Sequence, residues 1–406
     1  MPGKIALKLK PGILFHLSKG VYCICVTGTN GKTTTCALIE YGLKYNDIPY
    51  FINKTGANMI SGVTTAFIKN STLFGKPKCR YAVLECDENS LPIITNSINA
   101  KIIVVTNIFR DQLDRYAEVN TTFDKIKQGI ENSPNAVIVL NADCPLTYSL
   151  SSYFKNEVKT FGINTNRKGK VASDSPFCPC CGSRLQYKSL VYAQLGDFYC
   201  ADCKYKRIKP DICAENLHAS SFVLDNQNIN LALGGIYNVY NFLSAASVLK
   251  ILGFNFLPLQ SFGGSFGRAE SFYYDNRKIT VMLVKNPVGF SNCLQLAFSR
   301  YGEFDSVFAL NDNEADGKDV SWIWDVDFTC VSSRKNYTVG KRAYDMALRL
   351  KYDGVIPTVI DGEKYQTVIN LIKNSDRDFV IFASYTAMMN MRHMLINNFG
   401  GDEFWQ

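Results

Sequence analysis

The strand-like run Val21-Tyr22-Cys23-Ile24-Cys25-Val26 passes without a break into Thr27-Gly28-Thr29-Asn30-Gly31-Lys32-Thr33-Thr34-Thr35 and then into a helix-forming stretch. Strand, glycine-bearing loop and helix in that order suit a loop built to hold a phosphate. The glycines let successive backbone N–H groups curl around the anion, and the helix N-terminus adds its dipole. Lys32 reaches the terminal phosphates, and a following hydroxyl can hold Mg²⁺. The eight-residue Walker pattern wants a glycine at position 26, where this chain has Val26. A glycine turn without nucleotide is the alternative.

The rest of the chain repeats the alternation that this loop begins. After a helix from Lys32 to about Tyr45 come the β-branched runs YAVLE at 81–85, KIIVVT at 101–106 and AVIVL at 136–140. Strands alternating with helices imply a parallel sheet covered on both faces. Between about 171 and 210 the composition shifts to Cys, Pro, Lys and Tyr, and the stretch looks inserted. After the glycine-rich FGGSFG the alternation resumes with ITVMLV, a helix near 290–300, SVFAL, DFTCV, a helix through KRAYDMALRLKY, and FVIFAS. The expected fold class is α/β: a central P-loop-type parallel-sheet domain over 21–266 with an inserted four-cysteine zinc ribbon, then a smaller Rossmann-like α/β domain over 267–406. Residues 1–20 form a short N-terminal segment that alternates Lys with Ile and Leu and turns at Pro11-Gly12; a basic membrane-surface element is its other reading.

Composition excludes several classes. Of 406 residues 47% are apolar and 20% charged, with a net charge of +8, which argues against wholesale disorder and suits a phosphorylated ligand or an anionic surface. No uncharged apolar run is long enough to span a bilayer, and Met1 is followed by Pro-Gly-Lys rather than a signal-peptide core, so a cytoplasmic protein is expected.

Two further features sit where such a fold needs them. Glu85 and then Cys86-Asp87-Glu88 follow a buried-looking strand, at the sheet edge where nucleotides bind, and Glu85 is the expected second Mg²⁺ ligand. Asn107-Ile108-Phe109-Arg110-Asp111-Gln112-Leu113-Asp114-Arg115 likewise follows KIIVVT. In the inserted stretch, Cys178-x-x-Cys181 and Cys200-x-x-Cys203 are separated by 18 residues. Four thiolates at that spacing can close a tetrahedral Zn²⁺ site with no open position, hence a structural one. Cys180 offers another register, a redox dithiol is the rival chemistry, and iron is the rival metal. Most of the remaining cysteines, such as Cys23 and Cys25, read as reduced thiols used as small hydrophobes.

Taken together, TGTNGKTTT at 27–35, Glu85, NIFRDQLDRY at 107–116, NAD at 141–143, GIYNVYN at 235–241, GRAE at 267–270 and SYTA at 384–387 resemble the Mur ligase family, ATP-dependent enzymes that join amino acids to a carboxylate of a peptidoglycan precursor. The resemblance implies that Lys32 and Thr33 bind the triphosphate and Mg²⁺ within a loop completed by Thr29, Asn30, Gly31 and Thr34. It implies too that Glu85 binds Mg²⁺, that Asn238 lies near the adenine, and that Arg268 reaches the terminal phosphate. Lys127, thirteen residues after Asp114, has the spacing of a lysine carbamylated in several relatives; a solvated helix face, shared with Lys125, is the alternative.

Departures from the family point to a particular branch. Gln112 stands where relatives usually carry His, and Leu283-Val284-Lys285-Asn286-Pro287 where they often carry an Asp-Tyr-Ala-His-type segment. The inserted cysteines, LVKNPVGF and NDNEADGKDVSWIWDVDF are similar to the MurT-type branch. That branch amidates the D-glutamate of lipid II to D-isoglutamine through an acyl phosphate, with ammonia from a separate glutaminase partner of the GatD type. The family reading has one carboxylate among Asp312, Glu314, Asp316, Asp319, Asp325 and Asp327 orienting a catalytic histidine on that partner, and Asp319 is the choice, between a DG turn and an apolar run. A Ca²⁺ loop at 312–323 is rejected because its twelfth position is Ile323. The chain has only His16, His218 and His393, none in a motif and none beside a cysteine nucleophile, so ammonia comes from elsewhere. The expected cofactors are ATP, Mg²⁺ and Zn²⁺. Partners are the glutaminase subunit and membrane-associated lipid II at the inner face of the cytoplasmic membrane, with no nucleic acid. Rival readings are an autonomous amino-acid or polyglutamate ligase and a non-catalytic nucleotide-gated scaffold.

Overall fold

A computed structural model describes residues 2–53, 57–109, 116–166, 177–263, 268–331 and 334–400, apart from the side chains of 116–118, 268, 269 and 300. The chain divides into two compact units, the first running to Gly263 and the second beginning at Gly264.

The first unit opens with helices α1 (Pro2–Leu9) and α2 (Ile13–Leu17), on either side of a turn at Pro11-Gly12. There follow β1 (Tyr22–Thr27), α3 (Lys32–Tyr45), β2 (Tyr50–Ile52), α4 (Ile60–Lys69), β3 (Tyr81–Glu85), α5 (Leu91–Thr95) and β4 (Ala100–Val105). Then come α6 (Tyr116–Glu131), β5 (Val137–Asn141), α7 (Pro145–Ser149) and β6 (Val158–Ile163). The insertion supplies a hairpin of β7 (Gln186–Tyr192) and β8 (Leu195–Tyr199), and β9 (Ile212–His218), β10 (Ser221–Leu224), β11 (Gln227–Asn230) and α8 (Ile236–Leu252) complete the unit.

Nine strands form one sheet in the order β11-β10-β9-β6-β5-β4-β1-β3-β2. From β2 to β9 all neighbours are parallel, and β9, β10 and β11 turn back antiparallel. The parallel strands are apolar on both faces because helices cover both; Cys23, Ile24, Cys25 and Val26 of β1 are fully buried. Burial pushes the Cys23 thiol up, as suits a cysteine packed as a hydrophobe. The chain steps from β1 through β2 to β3 on one side, then crosses to β4 on the other. That reversal opens a crevice at the C-terminal ends of β1 and β4, where ligands bind in such sheets.

The insertion fits because β6 and β9 are parallel neighbours, whose connection must cross over in any case. A buried ion pair ties its exit to the sheet. Arg207 Nε lies 2.5 Å from Asp143 Oδ1, and Asp143 Oδ2 accepts from the Tyr240 hydroxyl and the Ile163 N–H, each at 2.7 Å. Burial pushes the Asp143 carboxyl up, while the Arg207 guanidinium and the Tyr240 hydroxyl work against that shift.

In the second unit β12 (Arg268–Tyr274), β13 (Arg277–Leu283), α9 (Pro287–Arg300), β14 (Phe304–Ala309), β15 (Asn336–Val339), α10 (Ala343–Tyr352), β16 (Thr358–Val359), α11 (Tyr365–Lys373), β17 (Asp378–Ala383) and α12 (Tyr385–Phe399) follow in order. They build a six-stranded sheet, β12-β13-β17-β14-β15-β16, parallel except for β12. One expected strand takes another form. DFTCV ends in a short 3₁₀ turn over Thr329–Val331, and the strand lies further on, at Asn336–Val339. Aspartates take the backbone donors that a ladder would need: Asp327 Oδ1 accepts from the Thr329 N–H at 2.9 Å, and Asp353 Oδ2 from the Phe328 N–H at 2.7 Å.

Candidate nucleotide site and cysteine cluster

The turn from β1 to α3 lies at the crevice and needs both of its glycines. Gly28 has φ +118 and Gly31, at the N-cap of α3, φ +88, both in the region that only glycine adopts readily. A Cβ on Gly28 would fall 2.4 Å from Thr106 Oγ1, and one on Gly31 2.2 Å from Asn241 Oδ1. The end of β4 grips the loop. The Asn107 carbonyl accepts from the Thr29 N–H at 2.9 Å and Asn107 Oδ1 from the Asn30 N–H at 2.9 Å, while the Thr106 hydroxyl donates to the Asn30 carbonyl at 2.7 Å. The Thr29 hydroxyl accepts from the Phe109 N–H at 3.0 Å. No side chain caps α3, so its N-terminal dipole is directed at the crevice.

Most of the residues expected to hold nucleotide meet here. The Thr33 hydroxyl donates to Glu85 Oε1 at 3.1 Å, which places the two expected Mg²⁺ ligands side by side. Asn53, buried at the end of β2, fixes the Glu85 backbone by a reciprocal pair of 2.8 Å bonds. Thr34 is buried on α3. Asn238 Oδ1 accepts from Asn241 Nδ2 at 3.0 Å, and Asn241 in turn faces Gly31.

Lys127 and Arg268 are the other two residues expected to act here. The Lys127 ammonium lies 4.2 Å from the centre of the Tyr153 ring, a cation–π contact that holds it on α6. Arg268 begins β12, but its side chain lies outside the described residues, as do 110–115, which include Gln112 and Asp114.

Glu88 is a participant that sequence reasoning missed. The Lys32 ammonium donates to the Gly28 carbonyl at 2.6 Å and forms an ion pair with Glu88 Oε1 at 2.6 Å; both side chains are largely buried. The signal was present in the carboxylates that crowd the end of β3, but spacing alone does not say which one meets the lysine.

In the insertion the four expected thiols converge. Cys178 and Cys203 Sγ are 3.5 Å apart, as are those of Cys181 and Cys200, and all four lie within 4.8 Å of one another. The Cys180 N–H points at Cys178 Sγ from 3.4 Å, leaving the Cys180 side chain outside the set. The Ser183 hydroxyl and N–H hold the Cys181 thiol down to about 6. Such a set fits a divalent metal.

In the second unit a cavity of about 320 Å³ opens at the C-terminal ends of β13, β14 and β17, lined among others by Lys285, Asn311, Asp316 and Ser384. Asp316 is engaged there with α12: Oδ1 accepts from the Thr386 N–H at 2.7 Å, and Oδ2 bonds the Thr386 hydroxyl. Asp319 lies beyond, half-buried, with Oδ1 accepting from the Ser321 N–H at 2.8 Å.

Comparison with known proteins follows the same division. A family model described as the Mur ligase middle domain matches residues 26–249, and one described as MurT ligase C-terminal matches 283–388. Subunit MurT of the glutamine-hydrolyzing lipid II isoglutaminyl synthase of Streptococcus pneumoniae is 36% identical, over 97% of this chain and 92% of the relative. The subunit of the same description from Staphylococcus aureus is 32% identical over 99% and 94%. Among solved structures, a pseudomurein peptide ligase type C from Methanothermus fervidus superposes with a TM-score of 0.71 at 22% identity, over 93% of this chain and 78% of that one.

The Lys32–Glu88 pair has a measurable consequence. A triphosphate must draw Lys32 away from Glu88 and bring negative charge toward that carboxylate. Glu88→Gln is therefore expected to tighten ATP binding by roughly three- to tenfold in titration calorimetry. Unchanged or weaker binding would mean that the pair does not compete with nucleotide.

Proposed function

From the chain's membership of the Mur ligase family, and within it of the MurT branch, we propose that it is the synthase subunit of a lipid II isoglutaminyl synthase. ATP phosphorylates the α-carboxylate of the D-glutamate in the lipid II stem peptide, and ammonia displaces phosphate from the acyl phosphate to leave the amide of D-isoglutamine. The observation that carries this reading is the loop geometry: an uncapped helix N-terminus, a lysine on its first turn, and the Thr33–Glu85 pair at 3.1 Å. When bound, Mg²⁺ would be held by Thr33 and Glu85 and would neutralise charge on the transferred phosphoryl group. Lys32, together with Arg268 on the family resemblance, supplies further positive charge to the same group. Asn238 supports the loop from α8 and lies on the adenine side.

Ammonia needs a source, and neither His16 nor His393 is placed as a base for one. His16 packs beside Phe15, and His393 Nε2 is bonded to Asn397 at 3.0 Å. The S. pneumoniae relative is described as a subunit of a glutamine-hydrolyzing enzyme, which supports a separate glutaminase partner of the GatD type. Asp319 is the carboxylate assigned to that partner's histidine, because Asp316 is committed to the N-terminus of α12. The complex works at the inner face of the cytoplasmic membrane, where its lipid-linked substrate is held. The four thiols hold zinc in a structural role.

Incubation with lipid II, ATP and an ammonium salt, followed by mass spectrometry, is expected to give a product in which OH is replaced by NH₂. An autonomous ligase would instead need an amino acid, and a scaffold would give no product. Lys32→Ala is expected to lower this activity by at least about a hundredfold while the protein stays folded; near-normal turnover would defeat the assignment of the loop. Asp319→Asn should slow glutamine-driven amidation by the complex roughly tenfold or more, with ammonium-driven turnover unchanged. Equal glutaminase activity in mutant and wild type would remove Asp319 from that role. Elemental analysis should find zinc bound in proportion to protein, and Cys181→Ser should lose it and melt earlier. Iron, or a stable metal-free protein, would refute the zinc assignment.

A further inference from the structure

Two neighbouring surface stretches of the first unit carry no acidic residue. The first carboxylate side chain in the chain is Glu40, and none occurs between Asp47 and Glu85. Basic residues gather in the same stretches: four lysines in the first 20 residues and four lysines or arginines between 69 and 80. The fold brings the stretches together. α1 lies on α4 so closely that a Cβ on Gly3 would fall 2.1 Å from the Ser61 carbonyl, and the Gly3 N–H bonds Thr65 Oγ1 at 2.9 Å. The connection that follows α4 comes up against α2, where a Cβ on Gly75 would touch Leu17 Cδ2 at 3.6 Å.

Large apolar side chains project from this basic ground. The connection is an ordered turn: the Lys78 N–H bonds the Asn70 carbonyl and the Thr72 N–H the Lys76 carbonyl, both at 2.8 Å, and the Gly75 N–H bonds the Thr72 carbonyl at 2.9 Å. At its tip Leu73 is fully exposed and Phe74 is 94% exposed. On α1, Ile5 and Leu9 lie one turn apart and are 62% and 83% exposed, with Lys4 and Lys8 beside them. A turn whose backbone is already satisfied gains nothing in water from presenting leucine and phenylalanine at its tip.

We propose that this surface docks on an anionic phospholipid bilayer. Leu73, Phe74, Ile5 and Leu9 enter the boundary between headgroups and acyl chains, and the surrounding lysines meet lipid phosphates. Charge complementarity selects this occupant. A bilayer of acidic lipids takes apolar tips and cations at once and would repel carboxylates, which are missing from both stretches; an apolar protein partner would account for the tips alone. No helix among the described residues is long and apolar enough to cross a membrane, so the patch offers attachment to the surface rather than insertion across it. The inference does not depend on the amidation reading, because these residues lie outside the nucleotide loop.

The test is sedimentation of the full chain with vesicles of phosphatidylcholine alone and of phosphatidylcholine mixed equally with phosphatidylglycerol. Binding is expected to the mixed vesicles only and to weaken with salt. The double variant Leu73→Ser/Phe74→Ser should lower it at least about tenfold, and Lys76→Glu/Lys78→Glu should lower it and flatten its salt dependence. Both changes are at exposed sites, and ATP binding reports that the fold is intact. Equal binding to both vesicle types, or binding unaltered in both variants, would overturn the proposal. So would a wild-type chain that ignores vesicles while the same substitutions release a protein subunit, which would make the patch a protein contact.

Discussion

Everything at the nucleotide site depends on how closely the β1–α3 turn is packed against the end of β4. Thr106 and Asn107 occupy the backbone groups of Thr29 and Asn30 and lie so near Gly28 that no side chain fits there. A loop that had to order itself around each ligand would lose the conformational entropy of several residues on binding. Here the neighbouring strand has already fixed the loop, and Asn241 on α8 closes in on Gly31 from another direction. Lys32, Thr33 and Glu85 are therefore positioned by the sheet rather than by the ligand. The ion pair with Glu88 keeps the buried lysine compensated in the absence of a triphosphate.

The same sheet explains why an insertion carrying a four-cysteine cluster that could hold a metal is tolerated. Its hairpin has a small apolar core, with Leu185 and Phe198 beside Cys178 and Cys200, packed with Tyr148, Tyr187 and Tyr205. So small a core gains little from burial alone, and four convergent thiols offer a cross-link that burial does not. The join to the main domain is polar and buried: Arg207 holds Asp143, and Asp143 holds Tyr240 of α8. An apolar contact could slide, whereas a charge-assisted bond between buried groups is costly to break. The position of the insertion relative to the C-terminal end of β5 is fixed by that bond.

The parts of this arrangement legible in the sequence are those set by local rules. The strand YAVLE and the helix that starts at Lys32 appear where expected, because a short apolar run and a glycine before a helix leave little choice. The cysteine quartet was legible because two C-x-x-C knuckles are a local geometric device. Contacts between distant segments were not. Nothing in the spacing marks Asn53 as the residue that fixes Glu85, or Glu88 as the partner of Lys32, since both arise from strand order. DFTCV misled because its composition suits a strand, yet Asp327 and Asp353 withdraw its backbone donors. Nor does the spacing of Lys127 reveal that on α6 it rests over an aromatic ring.

The acidic segment shows how structure separates residues that sequence leaves equivalent. Six carboxylates between 312 and 327 look alike in a string of letters. In the fold, Asp312 pairs with Arg342 at 2.9 Å, Asp316 closes the N-terminus of α12, and Asp327 holds its own turn. Each of these is spent on building the rim of the second sheet. Asp316 satisfies a helix donor that would otherwise go without a partner, so redirecting it would cost the α12 terminus its cap. Asp319 gives one oxygen to the Ser321 N–H, at the start of a short helical turn whose Trp322 and Ile323 are buried. Such an anchor fixes the direction of the carboxylate, and an ionised carboxylate has lone pairs enough to accept from several donors at once. A rigid stem of this kind is what the role proposed for Asp319, orienting a base on a partner subunit, would need.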